Sequence, residues 1–181
     1  MPSNHEKTLK ETSPTECLYL EDLSIGSSWT SPSRDVSADD VSDFAALTGD
    51  HDPLHTDQGY DSPFGQPIAH GLFGLSVLAG LSTEHPRVAT RALVGLADWA
   101  FDGPVFFGDS VMVRTEVVRL EPYGRRCGRV TWRRELINQD GRIVQQGNFI
   151  SLVAARQPTK KVKPNHVKPG VSATSDTVAA R

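Results

Sequence analysis

The stretch GDHDPLH, residues 49–55, places two carboxylates and two histidines around one proline. Proline has no backbone N–H and restricts the residue before it, so Pro53 should end any preceding helix and force a turn. Such a turn can direct Asp50 and His55 toward one point, where a carboxylate and an imidazole could activate a water molecule and exchange protons with it. The residues alone leave three interpretations open: an acid/base site, a metal site and a solvated turn.

The metal interpretation would use oxygen and nitrogen ligands from this one short loop. The candidate ligands are of types that bind metals, namely Asp50, Asp52, His55 and Asp57. A hydrolytic metal centre usually draws its ligands from several elements, and no second group of ligands occurs elsewhere in the sequence. We therefore expect no metal.

A second candidate for chemistry is His70-Gly71, at the start of an apolar segment. The first backbone N–H groups of a helix are unpaired and lie at the positive end of its dipole. Because Gly71 has no side chain, a substrate carbonyl could approach its N–H, as in an oxyanion hole. The alternatives are close packing at Gly71 and a core or capping role for His70.

The elements that must position these residues follow from hydrophobic periodicity. Ser37 is a good N-cap for a helix that ends at Gly49, and residues 68–84 are apolar on nearly every side, as in a buried helix. Residues 28–35 predict a short strand. Four later segments alternate in the manner of long antiparallel strands, namely residues 91–105, 109–123, 126–141 and 142–156. This order predicts an α+β fold, a curved antiparallel sheet around one helix.

Length and composition restrict the class of protein. The 181 residues suffice for one domain, which we expect at 18–156, between a flexible N-terminal tail at 1–17 and a disordered C-terminal tail at 157–181. A net charge of −3 argues against nucleic acid, and no apolar stretch is long enough to cross a membrane. Cys17 and Cys127 are expected to be reduced thiols in a cytoplasmic protein.

Three motifs together resemble the MaoC-like and (R)-specific enoyl-CoA hydratases. Residues 44–57 resemble the hydratase-2 motif, an aromatic residue followed after a few positions by G-D-x-N-P-[LIV]-H, and residues 67–71 match P-I-x-H-G. The third signature, F-x-x-P-V-x-x-G-D, matches at Phe101, Pro104, Val105, Gly108 and Asp109. The resemblance covers about residues 20–155, with the three motifs in the family's order and spacing.

The resemblance implies a hot-dog fold, a five-stranded antiparallel sheet wrapped around a long central helix, in a homodimer or higher homo-oligomer. It implies that Asp50 and His55 are the catalytic pair and that the Gly71 N–H binds the substrate carbonyl. The implied substrate is a 2-enoyl or 3-hydroxyacyl thioester of coenzyme A or acyl carrier protein. The implied hydration or dehydration needs no metal and no redox cofactor.

One position departs from the family pattern, because Asp52 stands where the family has asparagine. We expect Asp52 and Pro53 to shape the loop. A carboxylate lacks the N–H donor that an amide offers, so the substitution could change the catalytic efficiency or the preferred substrate. Two other functions remain open on this fold: an acyl-CoA thioesterase, and a non-catalytic subunit of a heteromeric dehydratase. The presence of both Asp50 and His55 favours the hydratase.

Overall fold

Residues 17–157 are described by the structure of the protein, a computed structural model. The predicted tails therefore lie outside the described residues, apart from Cys17 and Gln157. The helices are α1 (Ala38–Thr48), α2 (Pro53–Thr56) and α3 (Gly71–Leu81), and a 3-10 turn spans Leu20–Asp22. The strands are β1 (Ser28–Thr30), β2 (Arg34–Asp35), β3 (Thr90–Phe101), β4 (Ser110–Tyr123), β5 (Cys127–Asn138) and β6 (Ile143–Ala154).

The strands form one antiparallel sheet in the order β1-β4-β5-β6-β3, and β2 also pairs with β4. Glycines with positive φ, Gly124 and Gly141, lie in the turns that join β4 to β5 and β5 to β6. The predicted antiparallel sheet is confirmed, but it has six strands where five were expected. The predicted single strand at 28–35 is wrong, because the chain around Pro32 leaves the ladder and β1 and β2 pair with β4 separately.

The first helix, α1, has the predicted boundaries and the predicted local causes. The Ser37 side chain accepts a hydrogen bond from the Asp40 N–H at 3.1 Å, and the Asp40 carboxylate accepts one from the Ser37 N–H at 3.0 Å. This reciprocal capping box satisfies two N–H groups of the first turn. At the other end Gly49 has φ +78° and donates its N–H to the Ala45 carbonyl. The helix therefore ends at Thr48, and Gly49 alone separates it from Asp50.

The third helix, α3, lies on one face of the sheet. It buries Phe73, Val77 and Leu78 in a core that includes Trp132 and Leu136. The prediction of a helix buried on every side is wrong, because Leu72 is 61% exposed and Ser76 is exposed as well. The sheet covers only one side of α3, and its outer side faces away from the core. No helix among residues 17–157 is long and apolar enough to cross a bilayer.

Candidate active site

Asp50 begins the loop that follows α1. Its side chain is 53% exposed. Its backbone N–H donates to the Thr48 hydroxyl at 3.3 Å, and one carboxylate oxygen accepts from the Asp52 N–H at 3.3 Å. The left-handed backbone conformation of Gly49 turns the chain after α1. The hydrogen bonds to Thr48 and from Asp52 then hold Asp50 in place, with its carboxylate at the surface.

The segment after Asp50 is a short helix, α2, at the place where Pro53 predicted a turn. Asp52 is its N-cap and accepts from the Leu54 N–H at 2.9 Å, and Pro53 occupies the first helical position, where its missing N–H costs nothing. An asparagine could accept the same hydrogen bond through its amide oxygen. Asp52 thus preserves the capping contact that the family's asparagine can make.

His55 lies on α2 with its ring fixed by the backbone. Its Nδ1 is 2.8 Å from the carbonyl oxygen of Ile68. Because a carbonyl only accepts hydrogen bonds, Nδ1 must carry the proton. In the neutral ring, Nε2 then has a free lone pair and can accept a proton.

His70 joins the two halves of the site. It is 3% exposed, and its Nε2 donates to the Asp50 carbonyl oxygen at 2.9 Å. Its ring stacks on His55 with 3.9 Å between centroids and contacts Phe44 at 5.2 Å. His70 occupies the N-cap position of α3, but its side chain makes no capping hydrogen bond. Its contacts with both Asp50 and His55 were missed from sequence, although it directly precedes Gly71 in the second motif.

Asp50, His55 and His70 form one cluster, in which a carboxylate oxygen and one ring nitrogen from each histidine lie within 4.8 Å of one another. Two hydrogen bonds of about 2.8 Å that meet at a water oxygen at about 110° end about 4.6 Å apart. The spacing therefore suits one shared water molecule. Asp52 and Asp57, two of the candidate metal ligands, lie outside this cluster and accept backbone N–H groups of their own loops instead.

These cluster residues are also of metal-ligand types. To join such a set, His70 would have to offer Nδ1, since Nε2 is already donating to a carbonyl. That Nδ1 atom is fully buried and without a hydrogen-bond partner in the described part of the chain. The geometry therefore fits a water shared by Asp50 and His55 better than an ion held by all three.

Gly71 is the first residue of α3, and its N–H enters none of the hydrogen bonds found within residues 17–157. It is exposed, and a Cβ at this position would lie 2.9 Å from Cε1 of Phe101. The Gly71 carbonyl accepts from Gln145 Nε2 at 3.1 Å. The absence of a side chain thus both leaves the N–H accessible and lets the Phe101 ring approach.

The later part of the third motif, Pro104 to Asp109, supports this region. Ala69 donates its N–H to the Val105 carbonyl at 2.8 Å, and Ile68 forms a β-bridge with Phe106. Asp109, 8% exposed, accepts from the Phe106 N–H and from Gln139 Nε2, both at 2.8 Å. This turn therefore fixes Ile68, whose carbonyl binds His55, and Ala69, which precedes His70.

The chain is similar to known proteins in both sequence and structure. The model of the MaoC like domain matches residues 24–138. A 3-hydroxybutyryl-CoA dehydratase from Methylorubrum extorquens is 37% identical over 113 residues, which are 61% of this chain and 70% of that protein. An (R)-specific enoyl-CoA hydratase from Rhodospirillum rubrum is 30% identical over 141 residues, 76% of this chain and 93% of the relative.

A solved structure of a MaoC-like dehydratase from Rhodospirillum rubrum has a TM-score of 0.67 and 27% identity, and the match covers 77% of this chain and 98% of that one. The architecture of sheet and helix is the hot-dog fold that the resemblance implied. The chain belongs to the MaoC-like domain family.

Proposed function

We propose that the protein is a hydro-lyase that adds water to a 2-enoyl thioester, or removes it from a 3-hydroxyacyl thioester, of coenzyme A or acyl carrier protein. Membership of the MaoC-like family and the names of its relatives, a dehydratase and a hydratase, support this reaction class. The observation that carries the proposal is the spacing within 4.8 Å of the Asp50 carboxylate and the His55 ring, which suits one shared water.

In the proposed mechanism, the thioester carbonyl accepts a hydrogen bond from the Gly71 N–H at the positive end of α3. This donor stabilises the negative charge that develops on the carbonyl oxygen as water attacks C3. Asp50 and the Nε2 lone pair of His55 hold the water between them. The pair takes one proton from the water and returns one to C2, so that the hydroxyl and the proton together make up one water molecule. The two groups act as a coupled unit.

His70 would be a positioning residue in this scheme. Its Nε2 binds the Asp50 backbone and its ring lies against the His55 ring, so it restricts the positions of both members of the pair. Its own side chain is buried. The product of addition would be the (R)-3-hydroxyacyl thioester, in line with the relative named an (R)-specific hydratase. The reaction transfers only water and protons and requires no redox cofactor.

We further propose that two chains associate through β3. This strand is an edge of the sheet, with no strand beside its outer side in the described part of the chain, and exposed edges invite pairing. It exposes large apolar side chains, Leu93, Val94, Leu96 and Phe101. Because Phe101 packs over Gly71, a second copy on this edge would also wall the active site.

Substitution of an edge residue tests this association. A lysine in place of Leu96 puts a charge on the pairing edge, which opposes strand addition. We expect the wild-type chain to elute in light-scattering chromatography at twice the 19.7 kDa chain mass and Leu96→Lys to elute as a monomer. A wild-type monomer would contradict the proposal.

The reaction itself is tested with crotonyl-CoA, by following the loss of the enoyl thioester absorbance. We expect turnover by the wild type and a loss of at least about 100-fold in Asp50→Asn and in His55→Gln, since each removes an acid/base group. His51→Gln, an exposed histidine of the same loop, is the matched control and should retain activity. Release of free CoA thiol with the double bond intact would instead support a thioesterase.

A further inference from the structure

Arg134 is a cation on the core face of the sheet, at the opposite end of α3 from the active site. It lies two residues from both Trp132 and Leu136 on β5, and therefore on the same face of the strand as these buried side chains. Its guanidinium carbon lies 4.4 Å from the centroid of the Phe149 ring. Its Nε is buried and finds no hydrogen-bond partner among residues 17–157. Burial lowers the pKa of Arg134 to about 10, so the side chain is still charged at neutral pH.

The guanidinium lines a cavity of about 310 Å³ between the sheet and the end of α3. Among residues 17–157, the other side chains that form the wall are hydroxyl-bearing or apolar, and none is a carboxylate. The Ser151 oxygen accepts from Trp132 Nε1 at 2.8 Å, so its own proton remains available to a ligand. Thr90 adds another hydroxyl to the wall. The cavity thus presents a cation and a hydroxyl donor without an acidic group to neutralise them.

Two features of the protein offset part of the cost of this buried charge. The Phe149 ring provides a cation–π contact, and Ala79, Ser82 and Thr83 bring the negative end of the α3 dipole to the cavity. Neither supplies an oxygen to Nε. A carboxylate would, because its two oxygens match the donor fork of a guanidinium and form short charge-assisted hydrogen bonds.

We propose that this cavity binds a carboxylate, held by the guanidinium of Arg134 and the hydroxyl of Ser151. The carboxylate has two chemical sources: the far end of the acyl chain of a thioester substrate, which rests on the proposed function, or a free carboxylic acid. The 11 residues of α3, at about 1.5 Å per residue, separate its two ends by about 16 Å. The test substrates must therefore have acyl chains of several lengths, each with a carboxylate at its far end, so that one of them spans this distance.

Calorimetry of the full chain tests the site without any turnover. The probes are hexanoate and hexan-1-ol, which differ mainly in charge. We expect hexanoate to bind the wild type at least about tenfold more tightly than the alcohol, and Arg134→Gln to lose that preference. If Arg134→Gln does not fold by circular dichroism, Arg134→Lys serves instead, because it keeps the charge but loses the fork, and should weaken hexanoate about tenfold. The proposal is overturned if the wild type binds both probes equally or binds neither. It is also overturned if the folded Arg134 variant binds hexanoate as the wild type does.

A kinetic arm separates the two sources. The substrates are 2-enoyl-CoA esters of six to twelve carbons, each ending in a methyl or in a carboxylate. A preference in kcat/KM of at least about tenfold for the carboxylate at one length, lost in Arg134→Gln, assigns the site to the substrate's tail. Hexanoate binding without that preference assigns it to a free acid. If no enoyl thioester is hydrated, the proposed function fails, while the calorimetric result still decides the carboxylate site.

Discussion

Replacing Gly74 with alanine should destabilise the protein, although alanine is the better helix former. In α3 the substitution gains about 0.8–1.0 kcal/mol of helix propensity. A Cβ at residue 74, however, would overlap the Nε2 atom of Gln145, which is 2% exposed and donates to the Gly71 carbonyl. Overpacking costs about 1–3 kcal/mol, and an unpaired buried amide costs about 1–3 kcal/mol. These costs overlap, since movement of the amide relieves the clash, so we expect a net loss of about 1–3 kcal/mol.

The assay is urea unfolding followed by tryptophan fluorescence, at one protein concentration because association would shift the midpoint. Gly80→Ala is the matched control on the same helix, since a Cβ there meets no atom of the described chain within 4 Å, and it should stabilise by up to about 1 kcal/mol. In a Gln145→Ala background the obstacle is gone, and Gly74→Ala should cost at least about 1 kcal/mol less. The reasoning is refuted if Gly74→Ala stabilises the protein as much as Gly80→Ala does.

Two further predictions concern stability. Hydrogen bonds from the Ser37 backbone and side chain, with the nearby Arg34 guanidinium, hold the pKa of Asp40 below its ordinary value. A carboxyl group whose pKa is lowered by folding stabilises the folded state at pH values above its unfolded pKa of about 3.9. This stabilisation is lost as the pH falls through the folded-state pKa. Asp40→Asn should thus lower the free energy of unfolding at pH 6 and make a smaller difference at pH 3; an equal difference at both would be contrary to this. The Asp109 carboxylate accepts one hydrogen bond from the Phe106 N–H and another from Gln139 Nε2. In Asp109→Asn one of the two carboxylate oxygens becomes an NH2 group, which cannot accept, so one donor loses its partner. The free energy of unfolding measured in urea should fall by about 1–3 kcal/mol. A loss well below 1 kcal/mol would show that the motif turn does not depend on this residue.

Elements whose causes are local could be predicted from the sequence. Ser37 and Gly49 bound α1 through contacts made within a few residues, and the turns at Gly124 and Gly141 follow from backbone conformations that favour glycine. The helical turn α2 has the same kind of cause, since Asp52 at the N-cap and Pro53 after it are a helix-start signal. The turn expected at Pro53 is thus the first turn of a short helix.

The rest of the site depends on contacts between distant parts of the chain. His55 is fixed by a carbonyl 13 residues away, and His70 by one 20 residues away. Gln145 reaches the start of α3 across 74 residues. Neither hydrophobic periodicity nor helix-capping signals can predict these long-range hydrogen bonds, because they form only when the sheet packs against α3. The strand period alone places Arg134 on the core face of β5, but the cavity that it lines is built from distant segments of the chain and could not be predicted.

The central claim is that Asp50 and His55 act together on one water molecule. A double-mutant cycle tests it most directly, with kcat/KM for crotonyl-CoA hydration measured in the wild type, Asp50→Asn, His55→Gln and the double variant, all checked for folding. If the pair is one unit, each single variant loses at least about 100-fold, and the double variant loses little more than either single one, because residues that act as a unit are non-additive. Losses that multiply in the double variant, or a single variant that retains most activity, would contradict the account.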